Sequence, residues 1–258
     1  MNIHPTAIID ASSKVPVSCK VGPYCVIGAN VELGEDCQLA SHVAIEGPTK
    51  IGADNILFPF CAIGMAPQDT SYKGEPTRLE IGDHNEIREF VTINRGTVKG
   101  GGLTKLGSHL LIMAYSHIGH DCVVADHAML VNGATLAGHA TVEEWAVVGA
   151  LSAVHQFTRV GAHAYIGGGT IITQDVLPFS TTSAERDARA YGVNKVGLER
   201  RGFSKERIAK IQRGFKILLA SKLNTSQALE KLKSEADLGE DVDMLIRFIE
   251  SAERGVVK

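Results

Sequence analysis

Aromatic side chains make up only 5% of the 258 residues, and no apolar run approaches the roughly 18 residues needed to cross a bilayer. The first absence excludes a core built on large rings, and the second argues against stable membrane insertion. The N-terminus, MNIHPTAIID, lacks the basic-then-apolar layout of a secretory signal, so a cytoplasmic location is expected. An excess of positive charge is missing too. With a formal net charge of -3, the chain has no general basic surface for displacing counterions from phosphates, and no nucleic-acid partner is expected. Any anionic ligand must meet locally placed cations. What is abundant is glycine, 27 residues in a chain that is 44% hydrophobic and long enough to bury a core without disulfides or metals. Small and β-branched side chains must therefore fill a thin, repetitive interior.

The repetition has a period of six. Ile3, Ile9, Val15, Val21, Ile27, Leu33, Leu39, Ile45, Ile51, Leu57 and Ile63 follow one another at that spacing without a miss. Ile81, Ile87 and Ile93 keep the frame; Leu106 to Ile172 form a second series, offset by one residue. Such a period fits neither an amphipathic helix nor an alternating strand, but it fits a short strand plus a corner, wound as a solenoid. Four residues after each aliphatic the side chain is commonly small, and all five cysteines, Cys19, Cys25, Cys37, Cys61 and Cys122, occupy that phase. Core thiols are expected there, rather than a metal or disulfide set. Two segments interrupt the frame, residues 64–80 and the glycine-rich 94–105, and both read as loops on a rigid scaffold. Past Pro178 the hexad stops. Residues 1–178 are expected to form the solenoid and 179–258 a helical domain. Its helices are signalled by Ser204 before Ile208 to Leu218, by an Asn224–Gln227 capping box, and by Val242, Leu245, Ile246 and Ile249.

This pattern resembles the hexapeptide-repeat acyltransferases. The resemblance implies a mainly β fold, a left-handed parallel β-helix with three hexads per coil, and a homotrimer with active sites between neighbouring subunits. The handedness comes from the resemblance alone, since parallel crossovers are ordinarily right-handed. With eighteen residues per coil, equivalent positions stack about 4.8 Å apart, the spacing of neighbouring strands. His120, Gly138 and Gln156 then share one column, and Asp121, His139 and Phe157 the next, with His117 and His155 beside the same edge. Acyl transfer from a thioester to a hydroxyl needs a base of near-neutral pKa, a group to orient it and a donor for the oxyanion. On that corner His120 is placed as the base, Asp121 as its partner, and the Gly138 N–H as the donor.

Longer segments narrow the resemblance: YKGEPTR from Tyr72, IGDHNEIRE from Ile81, VTINRGT from Val91, GGGLTK from Gly100, HIGHD from His117, LAGH ending at His139, AVHQF from Ala153 and RRGF from Arg200. Over nearly the whole chain they are similar to the UDP-N-acetylglucosamine 3-O-acyltransferases, which begin lipid A synthesis. That resemblance implies transfer of a hydroxyacyl chain from acyl carrier protein to the 3-hydroxyl of UDP-N-acetylglucosamine, with no cofactor and no metal. It carries over the roles of His120, Asp121 and Gly138. It further places Asp69, His117, His139, His155 and Gln156 around the sugar and acyl donor, Asn194, Arg200 and Arg201 near the nucleotide, and Gly168 at a position that limits acyl length. The chain departs from the pattern in places. Ser71 stands where relatives often have a lysine, with Lys73 nearby; Asp187 replaces a chain-measuring histidine; Asn94 replaces a histidine and Val196 a glutamate. The same chemistry on a 3-amino UDP-sugar is an alternative. The related N-acyltransferase normally has an added N-terminal uridine-binding domain, whereas the repeat here starts at Ile3. A zinc-dependent hydratase and a purely structural solenoid are the readings from other classes.

Overall fold

The computed structural model describes residues 2–184, 188–219, 223–235 and 238–257. The hexads become short strands, most of two residues, gathered into three sheets of eleven, nine and seven strands that are parallel except for the last strand of the first. Successive strands of the coils fall in different sheets, so the backbone winds around a three-sided prism, a left-handed parallel β-helix. Pairing is by coil: Lys20 lies against Gln38 and His117 against Thr135, each 18 residues on. The step lengthens to 30 between Ala62 and Thr92, where the first loop is inserted, and to 25 between Thr92 and His117, across the second.

The aliphatic series points inward. Ile45, Ile63, Ile93, Ile118, Leu136, Val154 and Ile172 are at most 1% exposed. Each such burial stabilises by about 1.5–3 kcal/mol relative to exposure, and stacking repeats them into one continuous core. All five cysteines are free and buried in it. Cys25 Sγ reaches Ala40 O at 2.8 Å, and burial pushes the Cys61 and Cys122 thiols up to about 12. They are packing groups, as their phase implies.

Each turn of the prism is made three residues after the aliphatic, where the backbone enters the left-handed region. Asp121 (φ 59°), His139 (φ 63°) and Phe157 (φ 60°) are three of eighteen non-glycine residues with positive φ among those described. Asp, Asn and His tolerate this region better than most, because their short polar side chains hydrogen-bond locally. Corner residues of successive coils lie over one another, so rings at these positions stack. One corner shows His84, His109, His127 and Trp145 with centroids 4.0–5.0 Å apart. Another exposes Tyr24, Phe60, Phe90 and Tyr115.

Both loops are shorter than the interruptions in the frame. Ala62–Met65, Arg78–Ile81, Thr92–Asn94 and Leu103–Leu106 are strands, leaving residues 66–77 and 95–102 outside the ladder. Strand pairing persists beyond the hexad as well. Ser180–Ala184 pairs with the Tyr165 coil and turns back through Ala188–Val193, so a hairpin opens the segment that reads as helical. Thr- and Ala-rich strands at the end of a sheet carry no hexad signal. Among the described residues four helices follow: α1 (Lys195–Arg200), α2 (Lys205–Leu219), α3 (Thr225–Ser234) and α4 (Glu240–Glu250). Ser204 Oγ accepts from Arg207 N–H, and Asn224 with Gln227 forms the expected capping box. Helix α1 had no aliphatic stripe to announce it. A second core, including Leu177, Phe179, Leu198, Ile211, Phe215 and Leu245, joins these helices to the end of the coil. No helix among the described residues is long and apolar enough to cross a membrane.

Candidate active site

The corner after His117–Ile118 brings the central trio together. His120 Nδ1 lies 2.7 Å from Asp121 Oδ2. Asp121 is only 7% exposed, and its charge is stabilised from the second loop. The Thr97 N–H donates to Oδ1 at 2.7 Å and the Thr97 hydroxyl to Oδ2 at 2.6 Å, while the Asp121 N–H donates to Thr104 Oγ1 at 2.8 Å. With Nδ1 committed to the carboxylate, Nε2 is the nitrogen left to exchange a proton, the arrangement a general base requires.

The His120 ring lies over the backbone of the next coil. A Cβ built on Gly138 would stand 2.6 Å from Nε2 and closer still to Cε1, so this position admits glycine alone while the ring stays where it is. No hydrogen-bond acceptor among the described residues takes the Gly138 N–H, which is free to meet an oxyanion. His139 sets its ring edge-on to His120 with centroids 5.2 Å apart, stacks on Phe157 at 4.2 Å, and brings Nε2 to 3.6 Å from Asp121 Oδ2. His117 accepts or shares a hydrogen with Thr92 Oγ1 at 2.8 Å. Burial holds both imidazoles below their usual pKa; the neighbouring His120 adds to this at each, and at His139 Asp121 opposes it. Both are therefore neutral hydrogen-bonding partners near pH 7. His155 and Gln156 are exposed on the next coil, with His155 Nδ1 3.1 Å from Gln156 O.

The loops cover this corner. Asp69 accepts the Ser71 N–H at 2.7 Å, and its carboxyl is held below the usual range by Ser71's backbone and hydroxyl, helped by Lys99 and His120. Lys73 is exposed, its N–H bonded to Glu75 at 2.8 Å.

The other expected site residues that are described lie on different edges of the prism. Gly168 follows the strand Tyr165–Ile166 of the eleven-stranded sheet and is exposed. His120 follows a strand of the nine-stranded sheet. Asn194 and Arg201 pack on the third corner. Asn194 caps α1 by accepting the Gly197 N–H at 3.1 Å and donates to His163 O at 3.1 Å; Arg201 Nη2 donates to Trp145 O at 2.9 Å. Arg200 is exposed, and Asp187 lies outside the described residues. A single chain thus unites Asp69, His117, His120, Asp121, Gly138 and His139, but not the residues expected at the nucleotide and the acyl end.

His120, Asp121 and His139 offer ligand atoms within 4.8 Å of one another, the spacing a metal would need. Both Asp121 oxygens are already filled by Thr97 and His120, so an ion there would have to displace the donors that orient the base. The residues fit acid–base work better than coordination. Thr97 and Thr104 are the site residues the sequence reading missed. Both stand in the segments VTINRGT and GGGLTK, but only the fold shows that the loop folds back onto Asp121.

A curated relative from Thermodesulfovibrio yellowstonii, named acyl-(acyl-carrier-protein)-UDP-N-acetylglucosamine O-acyltransferase, is 48% identical over 256 residues, 99% of both chains. One of the same name from Saccharophagus degradans is 49% identical over the same share. This chain belongs to the UDP-N-acetylglucosamine O-acyltransferase family. The family's second-domain model, "Udp N-acetylglucosamine O-acyltransferase; Domain 2", matches residues 175–257. Among solved structures, a UDP-N-acetylglucosamine O-acyltransferase from Moraxella catarrhalis superposes with a TM-score of 0.95 at 41% identity, covering 100% of each chain. The UDP-N-acetylglucosamine acyltransferase of Francisella novicida superposes at 0.96 and 38% identity, over 99% of this chain and 93% of that one. The protein is accordingly an acyltransferase.

Proposed function

We propose that the acyltransferase moves an (R)-3-hydroxyacyl chain from acyl carrier protein to the 3-hydroxyl of UDP-N-acetylglucosamine, an early reaction of lipid A synthesis. The observation carrying the mechanism is the 2.7 Å His120–Asp121 contact, with the imidazole's other nitrogen directed toward a glycine backbone. His120 Nε2 takes the proton from the sugar hydroxyl as its oxygen attacks the thioester carbonyl. Asp121 holds the tautomer and stabilises the imidazolium that forms. The Gly138 N–H meets the negative oxygen of the tetrahedral intermediate. When that intermediate collapses, the carbon–sulfur bond breaks and the departing thiolate of the carrier arm recovers the proton from His120.

Asp69, His117, His139, His155 and Gln156 are assigned to the sugar and acyl donor, Asn194, Arg200 and Arg201 to the nucleotide, and Gly168 to the acyl terminus. Because these groups occupy three edges of one prism, a complete site requires neighbouring copies. This supports a homotrimer with shared active sites. Five free, buried thiols agree with work in the reducing cytoplasm.

The test offers purified protein hydroxyacyl carrier proteins of several lengths with UDP-N-acetylglucosamine or its 3-amino analogue, and reads products by mass spectrometry. O-acylated UDP-N-acetylglucosamine is the expected product. His120→Ala is expected to lower kcat by at least about 10³-fold while the melting temperature holds. Substantial activity in that variant would reject His120 as the base.

A further inference from the structure

The two loops meet through a lysine that no family motif identified. Lys99 sits in the short 3-10 turn Val98–Gly100, and its Nζ donates to Ser71 Oγ of the first loop at 3.0 Å. The turn is pressed against the catalytic carboxylate. Thr97 bonds both Asp121 oxygens, and a side chain on Gly100 would run into Asp121 itself. On the other side, Ser71 holds Asp69 through its N–H. The ammonium therefore stands at the roof of the His120 corner, between Asp69 and the loop that grips Asp121. The Asp69 carboxyl senses both Lys99 and His120, whereas the charge of Lys73 is felt at Glu75.

Charge balance together with the contact to Ser71 distinguishes Lys99. Arg78 pairs with Glu80 at 3.0 Å, and Arg95 with Glu46 at 3.7 Å, its guanidinium also turned inward onto Gly64 O. Lys99 makes no ion pair among the described residues; it rests on a neutral hydroxyl and is exposed. An unpaired cation fixed at the mouth of a site is placed to receive an anion that arrives with the substrate.

We infer that Lys99 is a substrate-binding residue whose ammonium contacts a phosphate group, with the Ser71 hydroxyl holding it in place beside that site. The inference depends on the His120 corner being the active site. Phosphate reaches that corner from two sources, the diphosphate of the nucleotide sugar and the phosphodiester of the carrier protein's prosthetic arm, and kinetics separates them.

The experiment compares Lys99→Gln, Lys99→Met and Lys99→Arg, varying each substrate in turn. Gln keeps a donor for Ser71 but loses the charge, so a loop-fastening role and a charge role give different results. Expected is a rise of about tenfold in KM for one phosphate-bearing substrate in both Gln and Met variants, with kcat within about threefold, near-normal KM in the Arg variant, and a weaker dependence of KM on salt without the charge. If only the nucleotide-sugar KM moves, the contact is to the diphosphate, and titration with UDP alone then shows the same loss. A shift confined to the carrier protein assigns it to the prosthetic arm. Unchanged KM values for both substrates in Gln and Met overturn the inference, as does a normal Gln variant beside a defective Met. His120→Ala is run in parallel: if it stays active, the site itself is misassigned, whereas an inactive His120→Ala with normal Lys99 variants sinks the lysine alone.

Discussion

Gly138→Ala isolates the geometry on which the mechanism rests. The new Cβ would lie 2.6 Å from His120 Nε2, about 1 Å inside ordinary contact distance for such atoms. The coil backbone is locked by its ladder, with Ala137 N–H on Val154 O at 3.0 Å and Phe157 N–H on Gly138 O, so the imidazole must give way. A displacement of about 1 Å carries Nδ1 out of hydrogen-bond range of Asp121 Oδ2, from which it now stands 2.7 Å away. Misplacing a reacting group by that amount costs on the order of 10²-fold in rate, which is about 2.7 kcal/mol of transition-state stabilisation. Folding should suffer far less, by about 1 kcal/mol, because a partly exposed ring at the end of a side chain moves, not the core. The assay is steady-state acyl transfer at saturating substrates, with thermal unfolding of the same preparation. A kcat within threefold of the parent would refute the close packing of His120 on Gly138. A collapse in melting temperature would refute the claim that the ring yields instead of the backbone.

Thr97→Val removes the 2.6 Å hydroxyl contact to Asp121 while keeping the backbone N–H; a charge-assisted bond of about 1.5–3 kcal/mol is lost. An approximately tenfold fall in kcat/KM is expected, restored by Thr97→Ser, and an unchanged value would show that the imidazole alone orients the pair. His163 predicts an acid-labile fold. Burial, then nearby Arg201, pushes it down to about 4 from 6.5, so between those values the unfolded chain binds a proton that the folded chain refuses. Its contribution is nil above pH 6.5, destabilising as pH falls through that window, and complete below about 4. In His163→Asn the decline of melting temperature between pH 6.5 and 4 should be shallower, and parallel curves would contradict the assignment.

How much of this was legible beforehand follows from what each feature depends on. The hexad is a covalent spacing: aliphatics every six residues are buried together when the chain winds as a solenoid, and stacking positions 18 apart puts His120 beside Gly138 from spacing alone. The histidines are subtler. His42, His84, His109, His127, His139 and His163 all occupy left-handed corner positions, where the backbone itself favours such residues. His117, His120 and His155 lie outside that phase, and their presence needs another reason. For His139 the corner suffices to explain the residue, and its approach to Asp121 is an addition only the fold shows.

By itself the sequence determined the periodic core, the inert thiols, the capped helices α2 and α3, the aliphatic stripe of α4, and the His120–Asp121–Gly138 corner, because each is set by separation along the chain. Tertiary structure alone decided that the second loop folds back so that Thr97 grips Asp121, that Lys99 rather than Lys73 meets the first loop at Ser71, and that Gly168 and Arg201 stand on edges away from His120. Loops obey no period, and the direction in which an insertion folds depends on the surface it lands on, which no local pattern encodes.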